Sequence, residues 1–214
     1  MIPHLSKKLQ FPPVEQASAE GILAYGGDLS VERILLAYQN GIFPWFNPDE
    51  PILWWAPNPR MVLFPEKYVP SKSLQKTIIK NTLSVTLNQN FEQVIRSCST
   101  TPRSGQQGTW LTEEMISIYI QLHKLGHAKS VEVWQNNEIV GGLYGIDLGH
   151  VFCGESMFSK VSDASKVGFS WLVNYLKNNN YKLLDCQVHN NHLESLGCME
   201  IVREDFMEIL NGKL

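Results

Sequence analysis

Apolar residues recur along the chain at two alternating periods, and the change of period marks its organisation. Ser30 offers a helix N-cap, Ile34, Leu35 and Tyr38 form one face behind it, and Gly41 supplies a stop. Ser71 to Asn81 reads as a short helix, and the alternation from Leu83 to Leu87 reads as a strand. Asn90 and Gln93 resemble a capping box for a helix over Phe91 to Ser97. Thr112 opens a further helix, with Glu113 and Glu114 in its first turn. Met115, Tyr119, Leu122 and Leu125 form its apolar stripe, and Gly126 ends it. The period then falls to two: Ser130–Trp134, Glu138–Ile146 and His150–Cys153 read as three strands, the first turn at Asn136-Asn137. Ala164, Val167, Trp171, Leu172, Tyr175 and Leu176 return to helical spacing until Asn178-Asn179-Asn180. Leu183 to Val188 forms another strand, and the tail mixes a short helix with a last strand.

A three-strand meander, a helix and a further strand is the element order of the N-acetyltransferase fold, so the expected class is α+β. The expected large domain, residues 61–214, has a central, mostly antiparallel sheet flanked by helices. A smaller N-terminal domain, residues 1–60, precedes it. The seam is compositional. Seven of the 11 prolines lie between Pro44 and Pro70, with Trp45, Trp54 and Trp55 among them. Proline fixes φ and removes a donor, so this stretch is predicted to be irregular, neither a long helix nor a central strand.

Composition narrows the classes. No apolar run approaches the ~18 residues of a membrane span, and the start, Met1 to Lys8, lacks the apolar core of a secretory signal. The four cysteines form no C-x-x-C pair, which fits reduced thiols in a cytoplasmic protein. With 18 Lys+Arg against 21 Asp+Glu the net charge is −3. Any nucleic acid must therefore be held by a local patch and specific pockets rather than by overall charge.

Several motifs fail on their chemistry. Gly154-Glu155-Ser156-Met157-Phe158 lacks the second glycine of a nucleophile elbow. Cys186, His189, His192 and Cys198 match no common zinc spacing, so no metal is expected. Gly141, Gly142 and Gly145 lie within a strand, where they imply close backbone approach rather than a phosphate loop. Phe158 to Ser165, at the turn into the helix after the meander, has no glycine and carries Asp163. That is a poor cradle for the pyrophosphate of acetyl-CoA.

Other features leave two readings open. Lys72, Lys76 and Lys80, four apart, share a helix face that is either solvated or a phosphate track. Trp45 and Trp110 follow loop-like residues and serve either as packing anchors or as base-stacking platforms. Asp185 and Gln187, two apart on a strand, share a face, as an edge pair in water or as a hydrogen-bonding pair for an amine.

Longer blocks resolve the choice by resemblance. They include Gly26-Gly27-Asp28-Leu29, Gly41-Ile42-Phe43-Pro44-Trp45-Phe46 and Ile52 to Arg60. Gly108-Thr109-Trp110-Leu111, Gly141 to Gly145, Phe152 to Phe158 and Asp185-Cys186-Gln187-Val188 continue the series. From about Phe11 to about Phe206 the chain resembles the leucyl/phenylalanyl-tRNA–protein transferases. The resemblance implies transfer of Leu, Phe or Met from aminoacyl-tRNA to proteins bearing N-terminal Arg or Lys. It implies no cofactor and no membrane, and a degradation signal (an N-degron) as the product. A related acceptor amine, such as that of a cell-wall peptide, and a tRNA-end binding module without turnover are the alternatives.

The same resemblance assigns the residues. Trp45 and Trp110 sandwich the terminal adenosine of the tRNA, and Leu143, Phe152, Met157 and Leu172 wall the aminoacyl pocket. Glu155 sits beside that pocket and orients the terminal ribose or the aminoacyl amine. Asp185 and Gln187 form the relay at the acceptor amine, and Lys72, Lys76 and Lys80 follow the acceptor stem. This chain departs from the family pattern in carrying lysines where arginines prevail, which loses bidentate phosphate contacts and implies stronger salt sensitivity. Cys198 and Val202 replace a common Ala and Pro, a change confined to the packing of the tail.

Overall fold

In the computed structural model, residues 1–101 and 111–213 are described. The first part of the chain contributes β1 (His4–Leu5), β2 (Ile22–Gly26), α1 (Val31–Gln39), β3 (Phe43–Pro44) and β4 (Leu53–Trp55). These strands form a small sheet in the order β1-β2-β4-β3. Next come β5 (Arg60–Leu63), α2 (Lys72–Ile79), β6 (Ser84–Leu87), α3 (Phe91–Thr100) and α4 (Glu113–Lys124). The meander is β7 (Ala128–Gln135), β8 (Glu138–Asp147) and β9 (Val151–Ser159), followed by α5 (Ala164–Asn178) and β10 (Leu183–Gln187). The tail is α6 (Asn191–Ser195), β11 (Met199–Ile201) and α7 (Arg203–Leu210).

The large sheet runs β11-β5-β10-β9-β8-β7-β6 and is antiparallel except where β9 meets β10. The N-acetyltransferase-type order of meander, helix and strand is therefore present, behind a small N-terminal sheet. The two larger apolar clusters among the described residues fill its faces, with a third, smaller one between α2, α5 and the β7–β8 pair. One joins the small sheet and α1 to the face under α3 and α4, through Leu23, Ile34, Trp54, Phe91 and Tyr119. The other fills the opposite face under α5, through Leu143, Phe152, Phe169, Leu172 and Leu184.

Local chemistry accounts for several of the element ends and close approaches. The hydroxyls of Ser30, Ser71 and Thr112 accept from the backbone N–H groups of Arg33, Leu74 and Met115. Asn136 and Asn137 take φ of 51° and 63°, the left-handed pair that a two-residue hairpin turn requires. Gly141 lets α5 press on β8, since a Cβ there would lie 2.7 Å from the Ala164 Cβ.

Four expectations are corrected. Arg60–Leu63, between Pro59 and Pro65, is an interior strand of the large sheet, because four proline-free residues suffice to pair on both edges. Leu125 is 61% exposed at the end of α4, beyond the buried stripe. Asn90 makes no side-chain cap on α3. Instead the buried Glu132 carboxylate on β7 accepts from the N–H groups of Gln89 (3.3 Å) and Asn90 (3.2 Å) and from the hydroxyls of Thr86 and Ser130. Finally, β9 does not stop at Cys153 but runs on through Ser159, with consequences for the site.

No described helix is long and apolar enough to cross a membrane.

Candidate active site

The continuation of β9 contains a bulge. Tyr144 on β8 faces Ser156 and the next residue, Gly145, faces Gly154, so Glu155 has no partner across the ladder. Gly145 permits this, because a Cβ at that position would collide with the Cys153 carbonyl and the Phe152 ring. The inserted residue resets the alternation. Phe152 and Met157, five apart, both pack with the cluster under α5, whereas the Glu155 carboxylate reaches Tyr119 on α4, on the other face.

A fork opens beside the bulge. β9 and β10 pair in parallel only as far as Cys153 and Asp185. Beyond that point β10 breaks register, and Gln187 takes a left-handed φ of 61°, rare for a residue with a side chain. The side chains nevertheless alternate: Leu184 and Cys186 pack in the cluster under α5, whereas Asp185 and Gln187 reach Arg60 and Glu155 on the other face. The two are also linked directly: the Gln187 backbone N–H donates to the Asp185 side-chain Oδ1 at 3.0 Å. The Gln187 side chain spans the fork, its Nε2 donating to Glu155 Oε1 at 3.1 Å.

Asp185 is sealed from below. The Arg60 guanidinium donates through Nε and an Nη to its two oxygens, each at 2.8 Å, with both residues essentially without exposed surface. The guanidinium lies between the rings of Phe43 on β3 (4.8 Å) and Phe206 on α7 (4.6 Å). The small sheet, the large sheet and the tail thus meet on a single ion pair. Burial would lower the Arg60 pKa, but the Asp185 carboxylate outweighs it, and the guanidinium is held above its ordinary value.

Glu155 is half-buried, and the protein crowding its carboxyl pushes its pKa up to about 7. The hydroxyls of Tyr38 and Tyr119 act in the opposite direction. Tyr119 donates to Glu155 Oε2 at 3.2 Å and shares a 2.5 Å hydrogen bond with Tyr38 of α1. Burial raises both phenols well above their ordinary range, so they are neutral at any working pH. The result is a polar chain from Arg60 through Asp185, Gln187, Glu155 and Tyr119 to Tyr38, crossing five elements. Such an arrangement can orient an amine, hold an enclosed ion pair and exchange a proton at a second carboxyl.

Of the residues expected from the sequence, Asp185, Gln187 and Glu155 come together here. Leu143, Phe152 and Leu172 pack together under α5 with Met157, half-buried, against them. Trp45 is half-buried two residues after Phe43, its ring 5.3 Å from that of Trp55, whose indole N–H donates to the Trp45 carbonyl. Trp110 lies outside the described residues. Lys72, Lys76 and Lys80 are exposed on and just after α2, which packs against α5. Sequence reasoning missed Arg60, Tyr38, Tyr119 and Trp55 as members of the site. A charged residue opening the apolar run Arg60-Met61-Val62-Leu63, and phenols on two otherwise apolar helix stripes, were the available signals.

The sequence profile of the leucyl/phenylalanyl-tRNA protein transferases matches residues 62–211, and that of their N-terminal domain matches residues 27–58. The chain belongs to this family. A leucyl/phenylalanyl-tRNA–protein transferase of Flavobacterium johnsoniae is 64% identical over 98% of this chain and 99% of its own length. Those of Flavobacterium psychrophilum and Cellvibrio japonicus are 56% and 53% identical, over 96% and 98% of this chain and 98% and 90% of theirs. The chain is an aminoacyl-tRNA–protein transferase, and no relative named here leaves a domain of it unmatched.

Proposed function

We propose that this enzyme transfers Leu, Phe or Met from aminoacyl-tRNA to the α-amine of proteins that begin with Arg or Lys, creating a degradation signal. The observation that supports it is the fork between β9 and β10. There a half-buried carboxyl and a bridging amide stand at a break in the sheet, beneath an enclosed ion pair, in a chain of this family. The donor ester is already activated, so aminolysis to an amide runs downhill without further ATP. An α-amine of pKa ~7.7–8.0 is partly neutral near pH 7, so positioning carries most of the catalysis.

In this reading Gln187 holds the acceptor amine, and Asp185 holds Gln187 through its backbone. Trp45 and Trp110 stack on the terminal adenosine, a contact typically worth ~1–3 kcal/mol per base. Leu143, Phe152, Met157 and Leu172 receive the aminoacyl side chain, with the unbranched thioether of Met157 adapting to Leu, Phe or Met. Lys72, Lys76 and Lys80 follow the phosphates of the acceptor stem. The test is incubation with radiolabelled Phe-tRNA and peptides beginning with Arg, Lys or Ala. Label on the Arg and Lys peptides alone is the expected result. Equal labelling of the Ala peptide, or tRNA binding without any transfer, overturns it.

A further inference from the structure

Amide formation requires the attacking amine to lose a proton, and three side chains at the fork are candidates to take it. Asp185 cannot. Both its oxygens are engaged by Arg60 at 2.8 Å, Oδ1 also accepts the Gln187 N–H, and the residue has no exposed surface. Gln187 cannot either, because a neutral amide accepts a hydrogen bond but does not titrate near neutrality. Its Nε2 points the way onward, donating to a carboxyl that is still partly open.

We propose that Glu155 is the proton acceptor of the transfer reaction, with Gln187 orienting the amine and the Tyr119–Tyr38 hydroxyl pair steadying the carboxylate. This rests on the acceptor reading given above. The bulge is what delivers Glu155 to this place: without the inserted residue its side chain would not stand apart from the β8–β9 ladder.

The groups around Glu155 come from every element packed on it. Tyr38 approaches from α1, Tyr119 from α4, Arg60 from β5, Asp185 and Gln187 from β10, and Cys153 from its own strand. Burial and the Asp185 charge favour the neutral acid, while the two phenols and Arg60 favour the carboxylate. The balance leaves the group near neutrality, where it can both accept and return a proton.

The step balances without a co-reactant. The amine nitrogen forms a bond to the ester carbonyl carbon, and its N–H proton passes to the Glu155 carboxylate. The carbon–oxygen bond to the ribose breaks with its electron pair on the ribose oxygen, which takes the proton back from Glu155. One amide and one free ribose hydroxyl result, and the carboxylate is restored.

The test is the pH dependence of single-turnover transfer from Phe-tRNA to an Arg-initiated peptide below saturation, over roughly pH 5.5–8.5. Wild-type enzyme, Glu155→Gln and Tyr119→Phe are compared, with the Kd for Phe-tRNA measured for each. For the wild type, amine and Glu155 must both be deprotonated, so the logarithm of the rate rises toward low-pH slope two. Glu155→Gln retains only the inflection of the amine, with slope one. Its rate at high pH falls by roughly 10²–10⁴-fold with Phe-tRNA affinity unchanged. Tyr119→Phe removes a donor to the carboxylate and moves the lower inflection to higher pH, which keeps the test open if Glu155→Gln does not fold.

A single slope in the wild type, a Glu155→Gln rate within tenfold of wild type, a loss accounted for by weaker Phe-tRNA binding, or an unmoved inflection in Tyr119→Phe each overturns the proposal. A wild-type enzyme that transfers to no Arg or Lys peptide refutes the acceptor reading itself, and the proposal falls with it. A competent peptide with an unchanged profile refutes the proposal alone.

Discussion

Replacing Arg60 by Met tests whether the buried pair holds the site. The substitution keeps an unbranched chain between Phe43 and Phe206 but leaves the Asp185 carboxylate inside the protein without its counter-ion. Two charge-assisted hydrogen bonds of 2.8 Å are lost, in a place where neither side chain has more than 1% of its surface exposed. Removing one partner of such a pair costs about 3–5 kcal/mol, because the other charge stays desolvated. Loss of the cation from between two rings adds roughly 1 kcal/mol or more. Against a total stability of about 5–15 kcal/mol this is severe, and for a chain of this length it lowers Tm by about 10 °C. Urea unfolding followed by tryptophan fluorescence measures it. The double variant Arg60→Met with Asp185→Leu removes the stranded charge and recovers much of the loss, as replaced buried pairs commonly do. It does not recover transfer, because Gln187 has lost the carboxylate that fixes its left-handed backbone. A single variant costing under about 1 kcal/mol refutes the reasoning. So does a double variant less stable than the single one.

Trp45→Ala weakens use of Phe-tRNA by roughly 5- to 150-fold, the span of a ~1–3 kcal/mol stacking contact. A loss of thermal stability that alone explains the defect would make Trp45 a packing anchor on Trp55. Lys76→Glu lowers tRNA affinity and reduces the slope of log K against log salt by about one; an unchanged slope would leave the α2 lysines simply solvated. Glu132→Ala strips two hydroxyls and two backbone N–H groups of their common acceptor and destabilises the fold by about 2–4 kcal/mol, read by urea unfolding, with residual folded enzyme active. Glu155 gives stability its own pH dependence. Its folded pKa of about 7 lies above the ordinary 4.5, so the native state holds the extra proton between those values. Stability from this group is full below about pH 4.5 and is lost as pH rises through 7, by on the order of 1–3 kcal/mol. Unfolding of wild type against Glu155→Gln between about pH 5 and 7.5 reads the difference, which vanishes if the carboxyl is unperturbed.

Features decided within a few residues were legible in the sequence. The caps at Ser30, Ser71 and Thr112, the Asn136-Asn137 turn and the meander depend on local hydrogen bonds and on alternation, and they stand where their residue types put them. Asp185, Gln187 and Glu155 could be selected because each sits in a block shared with the family. What failed were statements that need a second strand. That Glu155 is a bulge depends on Gly145 of β8 yielding room for it, and the register beyond it shifts as a result. The sealing of Asp185 depends on a residue 125 positions away, and the Tyr38–Tyr119 contact spans 81. Nor does alternation foresee that Gln187 ends β10 with a left-handed φ, its backbone N–H turned onto the Asp185 carboxylate.

The division of labour between the carboxyls follows from those same non-local contacts. Asp185 and Glu155 are both acids on strands of one sheet, and their sequences alone do not separate their roles. Arg60, held by rings from opposite ends of the chain, engages one of them in a buried ion pair that also shapes the backbone. The bulge gives the other only phenols and an amide as near partners, which stabilise its charge too weakly to offset burial. An enclosed, ion-paired carboxylate beside a carboxyl raised by burial separates a group committed to structure from one that exchanges a proton. Removing Arg60 takes away a charge that favours the Glu155 carboxylate, so an Arg60→Met variant that folds should carry the Glu155 inflection of the rate profile to higher pH.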